Sequence, residues 1–399
     1  MGELEEFSES LIAQLEIELN EEKEIKDLTE RIKEDSSFSI KFDSLEAISE
    51  NIFSGMKEKI NDFTGISVSP QTRINYPDLD DFKKLKGKKV FAASNAGKFV
   101  EELFEAVSKK DTRKISSLIG QDAAKYFVYS TYAIQYLSKI STTYGDYLDN
   151  VIYLNKFVLS SYPQIILYRQ GKPYEPKFES IKSGYVGALK MTILEEMIHS
   201  IQENLQEMNK NAAMNVNAIN EELAKIILGL DDKTVANLSE YLQLQAVPDN
   251  FPIAKRANLF FMLNPDNFIV NVLGPDVMTF TRVEIDPKIS ETVPQLLDIY
   301  QRWLKPIQAH HAAFTTMEGM AEFIVQNMLK DDADFLHYLT SFVGTDISSY
   351  QVRKSLGKDF TKIVFEKFGK KTFKILIDDP PSTKELKEPT LYLKRKSSI

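Results

Sequence analysis

The sequence predicts an α+β protein that is predominantly helical and carries one small sheet. Three observations predict it. Apolar residues recur at three- and four-residue steps over most of the chain, which is the spacing of one helical face. Two short runs between Val151 and Tyr168 are instead β-branched and aromatic, the composition of strands. Turn-forming residues cluster between the periodic stretches and punctuate them.

The first stretch, 3–35, reads as an amphipathic helix. Leu4, Phe7, Leu11 and Leu15 form one stripe, and Ile25, Leu28 and Ile32 continue it. Charges fill the opposite face. Residues 1–50 hold 16 acidic and 5 basic side chains, a net of −11, so the other 349 sum to +2 within a total of −9. Residues 1–65 are therefore expected to form an acidic helical region. Ser67 to Asp81 carries Pro70 and Pro77, and 66–90 reads as a linker.

Helical spacing resumes at 92–143, with Phe99, Leu103 and Val107 at four-residue steps. Val151–Leu154 and Gln164–Tyr168 read as strands, broken by Ser160 to Pro163. Residues 182–210 read as a helix with a wide apolar face made by Ile193, Leu194, Met197, Ile198, Ile201 and Leu205. An insert at about 211–300 holds a helix-like part, 217–243, and a strand-like part, 260–283. Helices return at about 312–330 and continue through 331–399.

Composition excludes several classes of function. The chain has 399 residues and no cysteine, so disulfides, cysteine-zinc sites and cysteine nucleophiles are out. No run of about 18 apolar residues is present, which argues against a membrane span. The acidic start, Met1 to Glu6, lacks the basic-then-apolar order of a secretory signal, and the default expectation is a cytoplasmic protein. A net charge of −9 argues against nucleic acid as a partner.

Chemistry concentrates on the helix at 182–210. Glu195 and His199 are four residues apart, so a helix places them on one face, roughly 5–6 Å between Cβ atoms. Two ligands on one helix can grip one metal in this way. Glu196 lies beside them and suits a general base. Glu318 follows in a helix otherwise rich in Met317, Ala321, Ile324, Val325 and Met328. A charge there is costly unless it is paired or metal-bound. An ordinary polar stripe is the plainer reading of Glu195, Glu196 and His199 taken alone.

The order of these segments resembles gluzincin metallopeptidases. Leu194 to Gln202 resembles that clan's His-Glu-x-x-His helix, and Met317 to Phe323 resembles its Glu-Gly-x-Ala helix. The end of the chain, Pro381 to Leu393, is similar to a pattern of Pro, Ser/Thr, Glu, Pro and Tyr-Leu in some zincin-like families. The similarity spans about residues 150–393. It implies a zincin-like domain over 91–399 and one divalent metal, zinc by resemblance, held by Glu195, His199 and Glu318. It also implies Glu196 as the base, Tyr350 as a group that steadies an oxyanion, and a peptide or protein as substrate or partner.

This sequence departs from the pattern in two places. Glu195 stands where the clan has its first histidine. One imidazole and two carboxylates make a harder, more anionic set, which shifts preference toward iron or manganese relative to zinc. The gap from His199 to Glu318 is 119 residues, long for the clan. His311 and Glu322 are candidates to support the ligands or to contact substrate. His311 lies seven residues before Glu318, a rise of roughly 10.5 Å, too far for both to bind one ion.

Two other functions fit the same residues. In one, the fold survives as an inactive pseudopeptidase whose metal is lost or structural and whose cleft or N-terminal helix binds a partner. The ligand side chains then converge without metal, or a neighbouring Lys or Arg neutralises the carboxylates. In the other, Glu196-x-x-His199 and Asp334-x-x-His337 form a di-iron carboxylate site between helices.

Overall fold

The computed structural model describes residues 2–19, 23–24, 26–27, 30, 44–140, 143–162, 178–247, 251–266, 281–341 and 349–397. These residues are predominantly helical, with a three-stranded sheet. The reading of Gln164–Tyr168 as a strand lies outside the described residues, as do Ile25, Leu28 and Ile32.

Contacts divide the chain into two units, each built from three separated stretches. This differs from the sequential order expected of an acidic region, a linker and one long domain. The first unit holds residues 1–18, 83–138 and 208–312, and the second holds 19–82, 139–207 and 313–399. Apolar stripes explain the difference, because each helix joins whichever surface buries its own stripe, whatever its place in the chain.

In the first unit, the acidic helix Glu3–Glu18 is part of the core. Leu11, Ile12 and Leu15 are buried, and the helix packs on Thr112–Gln121. The Ser8 and Ser116 hydroxyls meet at 3.0 Å, and Ser116 also donates to the Leu4 carbonyl. Helices Ala123–Ser138 and Glu203–Leu228 meet through polar groups. Tyr129 donates to Glu221 at 2.9 Å, and Tyr132 donates to Asn217 at 3.0 Å. Burial and the Glu221 carboxylate push the Tyr129 hydroxyl far up, so it stays a neutral donor. Residues 260–263, expected as strand, end the helix Pro252–Leu263, while 267–280 lie outside the described residues. A shallow groove of about 230 Å³ between Ala236, Leu244 and Asn258 holds none of the candidate site residues.

The second unit contains the sheet, in the order β1 (Arg73–Asn75), β3 (Val151–Leu154), β2 (Gly145–Leu148). β1 runs parallel to β3, pairing Ile74 with Ile152. β2 and β3 form a hairpin in which Tyr147 pairs with Ile152. Its two-residue turn, Asp149-Asn150, has φ of 51° and 63°, the left-handed geometry that Asp and Asn tolerate best among residues with a Cβ. The expected linker is thus structured. It carries β1, and the helix Leu79–Ala92 begins within it. Three residues of strand among prolines leave no periodic signal.

Three helices of this unit carry the candidate site. The first is Phe178–Ser200, apolar around much of its surface, with Leu189, Ile193, Leu194, Met197 and Ile198 fully buried. It was expected to run on to about 210. Instead it stops at Ser200, and a second helix starts at Glu203. The second is the 313–328 part of the long helix Gln295–Met328, whose 295–312 part belongs to the first unit. The third is Ser349–Phe368. The second and third cross at Gly319 and Gly357. A Cβ on Gly319 would strike the Gly357 backbone, and one on Gly357 would strike the Thr315 carbonyl. The side chains that flank this crossing are therefore held close. Phe63, Phe323, Phe365 and Phe373 pack together nearby, with ring centroids 5.3–5.9 Å apart for four of their pairs.

A candidate metal centre

Glu195, His199 and Glu318 each offer one ligand atom, and these atoms lie within 4.8 Å of one another. Among the described residues this is the group of three or more His, Asp or Glu side chains spaced to hold an ion. The helix supplies the Glu195–His199 pair by its four-residue step. The glycine crossing supplies Glu318 from across the unit.

His199 is oriented by two hydrogen bonds in series. Its Nδ1 lies 2.9 Å from the Gln202 Oε1. The Gln202 Nε2 donates to the Met317 carbonyl at 3.0 Å, so Oε1 is the end that faces the ring. Nδ1–H therefore donates, and Nε2 is turned toward Glu318, 3.8 Å from its Oε1. Gln202 occupies the break after Ser200, which explains why the helix ends there: Gln202 leaves the helix to join Met317. The Gln206 Nε2 caps the His199 carbonyl.

Glu318 has a second partner. The Tyr350 hydroxyl donates to its Oε2 at 2.9 Å. Burial and the Glu318 charge push this hydroxyl well above its ordinary value, so it remains a donor. Tyr350 therefore touches a carboxylate of the candidate centre. The residue as a whole is 36% exposed.

Sequence reasoning missed Lys354. Its ammonium sits against the Glu195 Oε1 and lies 3.4 Å from the Glu322 Oε2. Its side chain is only 10% exposed. Glu322 also accepts from Gln326 one turn on. The signal available was a four-residue step from Tyr350, which places Lys354 on the same helical face as the tyrosine. A lysine on a charged helix, however, looks like many others.

The site is electrostatically dense. Burial disfavours a charged His199, but the Glu318, Glu196 and Glu195 carboxylates outweigh it and hold the imidazole above its ordinary value. Burial likewise pushes the Glu195 carboxyl up, while Lys354 and His199 outweigh that and hold it below the usual carboxylate range. The ammonium of Lys354 is held well above its ordinary value against burial, chiefly by Glu195.

Glu196 is buried on the same helix as Glu195 and His199. Glu322 joins through Lys354. His311 is buried but belongs to the first unit, outside the group that the second unit assembles. Asp334 is engaged by Ser183 at 2.7 Å and by Lys190 at 2.9 Å, so neither it nor His337 joins Glu196 and His199. The terminal motif is structural: Ser382 and Glu385 form a capping box, Glu385 pairs with Arg395, and Tyr392 donates to the Asp379 carbonyl at 2.8 Å.

No protein-family model, curated protein or solved structure matches this chain.

Among the described residues, no helix is long and apolar enough to cross a membrane.

Proposed function

We propose that the chain is a metal-dependent peptidase of gluzincin type with a divergent centre, in which Glu195, His199 and Glu318 hold one divalent ion. One observation carries this reading: three ligand atoms from two distant segments converge within 4.8 Å in a largely buried site. Such convergence costs electrostatic energy, and a cation is the natural way to offset it.

The donor set fits an ion. His199 presents Nε2, its other nitrogen being held by Gln202, and each carboxylate presents an oxygen. With one imidazole and two carboxylates, manganese or iron suits the set at least as well as zinc. Bound there, the ion would supply Lewis-acid chemistry toward a carbonyl and a water. Glu196 takes the proton of the attacking water and returns it to the leaving amine. Tyr350 fixes the Glu318 carboxylate and is close enough to the centre to turn toward a developing oxyanion.

A second reading is favoured by Lys354. A cation already rests on Glu195, as expected of a zincin-like scaffold that binds a partner without catalysis.

Elemental analysis of the purified, chelator-free protein separates the two. About one metal per chain, absent from an E195A/H199A double variant, supports the metal centre and justifies peptidase assays. No metal after loading with zinc, iron and manganese overturns the peptidase reading and leaves the scaffold.

A further inference from the structure

We infer that Lys354 is a built-in competitor of the metal, which must move from Glu195 to Glu322 for the ion to bind. This inference rests on the proposal that Glu195, His199 and Glu318 bind a divalent ion, and it adds a regulatory residue to that site.

The geometry points to two stations for one ammonium. Lys354 Nζ touches the Glu195 Oε1, on a carboxylate the ion would need. The same Nζ lies 3.4 Å from the Glu322 Oε2, a carboxylate outside the ligand group. Glu195 comes from the helix Phe178–Ser200, whereas Glu322 comes from the Glu318 helix, one turn beyond the ligand. A small swing of a four-carbon stem moves the charge from one to the other. The Gln326 amide holds Glu322 as a ready acceptor.

Charge bookkeeping explains why such a device is useful. Without an ion, Glu195 and Glu318 are two largely buried carboxylates, with side chains 15% and 10% exposed. Leaving Glu195 unpaired would be strongly destabilising. Lys354 neutralises it and keeps the empty site folded. When an ion arrives, that positive charge is repelled at close range in a poorly solvated site. Glu322 then receives it, so no buried ammonium is left alone. Lys354 thus lowers metal affinity while stabilising the metal-free protein. Glu322 raises affinity by drawing Lys354 away.

The two substitutions therefore act in opposite directions. The test measures Mn²⁺ and Zn²⁺ affinity of the full chain by competition with a calibrated chelator. K354Q keeps a hydrogen-bond donor near Glu195 and removes the charge. It is expected to bind metal at least about tenfold tighter than the unaltered protein, the effect of removing one nearby like charge in a low-dielectric site. Its metal-free melting temperature should fall and be restored by metal. E322Q should bind severalfold more weakly, and this loss should vanish in the K354Q background, because Glu322 acts through the lysine. K354R, which keeps the charge, should bind no tighter than the unaltered protein, and it covers the case in which K354Q does not fold.

Three results overturn the inference. K354Q no tighter than the unaltered chain, while that chain binds metal, sinks this inference alone. E322Q weakening binding equally in both backgrounds makes Glu322 a simple electrostatic contributor and overturns its role as the second station. Failure of both the unaltered chain and K354Q to bind any of the metals brings down the metal centre itself and this inference with it.

Discussion

The two units bury polar groups in opposite ways. In the first, the interior polar contacts are mostly neutral donors on single acceptors: Tyr129 on Glu221, Tyr132 on Asn217, and Asn217 on the Ala93 carbonyl. In the second, five charged or titratable groups meet at one place: Glu195, His199, Glu318, Glu322 and Lys354. A satisfied neutral network rigidifies a fold and asks for nothing more. A concentration of buried charge is expensive, and it is kept where it binds or reacts. The contrast makes the second unit the place to look for the proposed chemistry.

The largest expected effect comes from breaking the scaffold of the charged site. Gly357→Val inserts a side chain where the Thr315 carbonyl and Gly319 already sit. We expect a loss of about 3 kcal/mol or more, from forced separation of two helices. Glu318 and Lys354 would separate with them. Denaturant unfolding followed by circular dichroism measures the loss, and an unchanged midpoint would contradict the close crossing.

The sharpest form of the comparison pairs one substitution in each unit. Glu318→Gln removes a carboxylate of the proposed centre and should weaken metal binding by at least about 10–100-fold, the loss that an outer-shell partner alone brings. Tyr129→Phe should act on stability instead. It leaves Glu221 without its buried donor, a cost of about 1–3 kcal/mol, and leaves metal binding intact. If Tyr129→Phe changed metal affinity, the units would not differ as argued.

One buried carboxylate in the first unit departs from its neutral pattern in a way that pH can read. Asp266 accepts from the Asn220 amide and from the Trp303 indole at 2.7 Å. Burial pushes its carboxyl up to about 6. The folded state therefore holds this proton more tightly than the unfolded chain, whose Asp titrates near 3.9. The associated stability is complete below about pH 3.9 and is lost as pH rises through 6, a change of about 3 kcal/mol. Trp303 is the sole tryptophan. Its fluorescence should titrate with a midpoint near 6 and become flat in Asp266→Asn. A midpoint near 4 would show that Asp266 is solvated.

The smallest effect lies in the terminal motif. Ser382→Ala removes one half of a capping box and should cost about 1 kcal/mol, with no change in metal binding. Thermal unfolding with and without metal tests both halves of that expectation.

Much of the site was legible in the residues. Glu195 and His199 share a face because a helix repeats every 3.6 residues, and Glu318 stands out because a charge among Met317, Ala321 and Val325 needs a partner. Val151–Leu154 announced itself as strand by its branched and aromatic side chains. Lys354 did not stand out, since its partner Glu195 is 159 positions away and nothing local distinguishes it. β1 was hidden because three residues between prolines have no period. The acidic helix at the start read as a separate region, yet Leu11 and Leu15 bury it among segments more than 65 residues further on.

The sequence by itself determined the helical character, the position of the hairpin strand Val151–Leu154, and the placing of Glu195 and His199 on one helical face. Each of these rests on the local geometry of the backbone. Only the tertiary structure decided which distant carboxylate meets that pair, which lysine neutralises it, and how the chain divides into two interleaved units. Those outcomes depend on glycines that let two helices touch and on apolar stripes that choose partners by fit, and neither is written in the spacing of neighbouring residues.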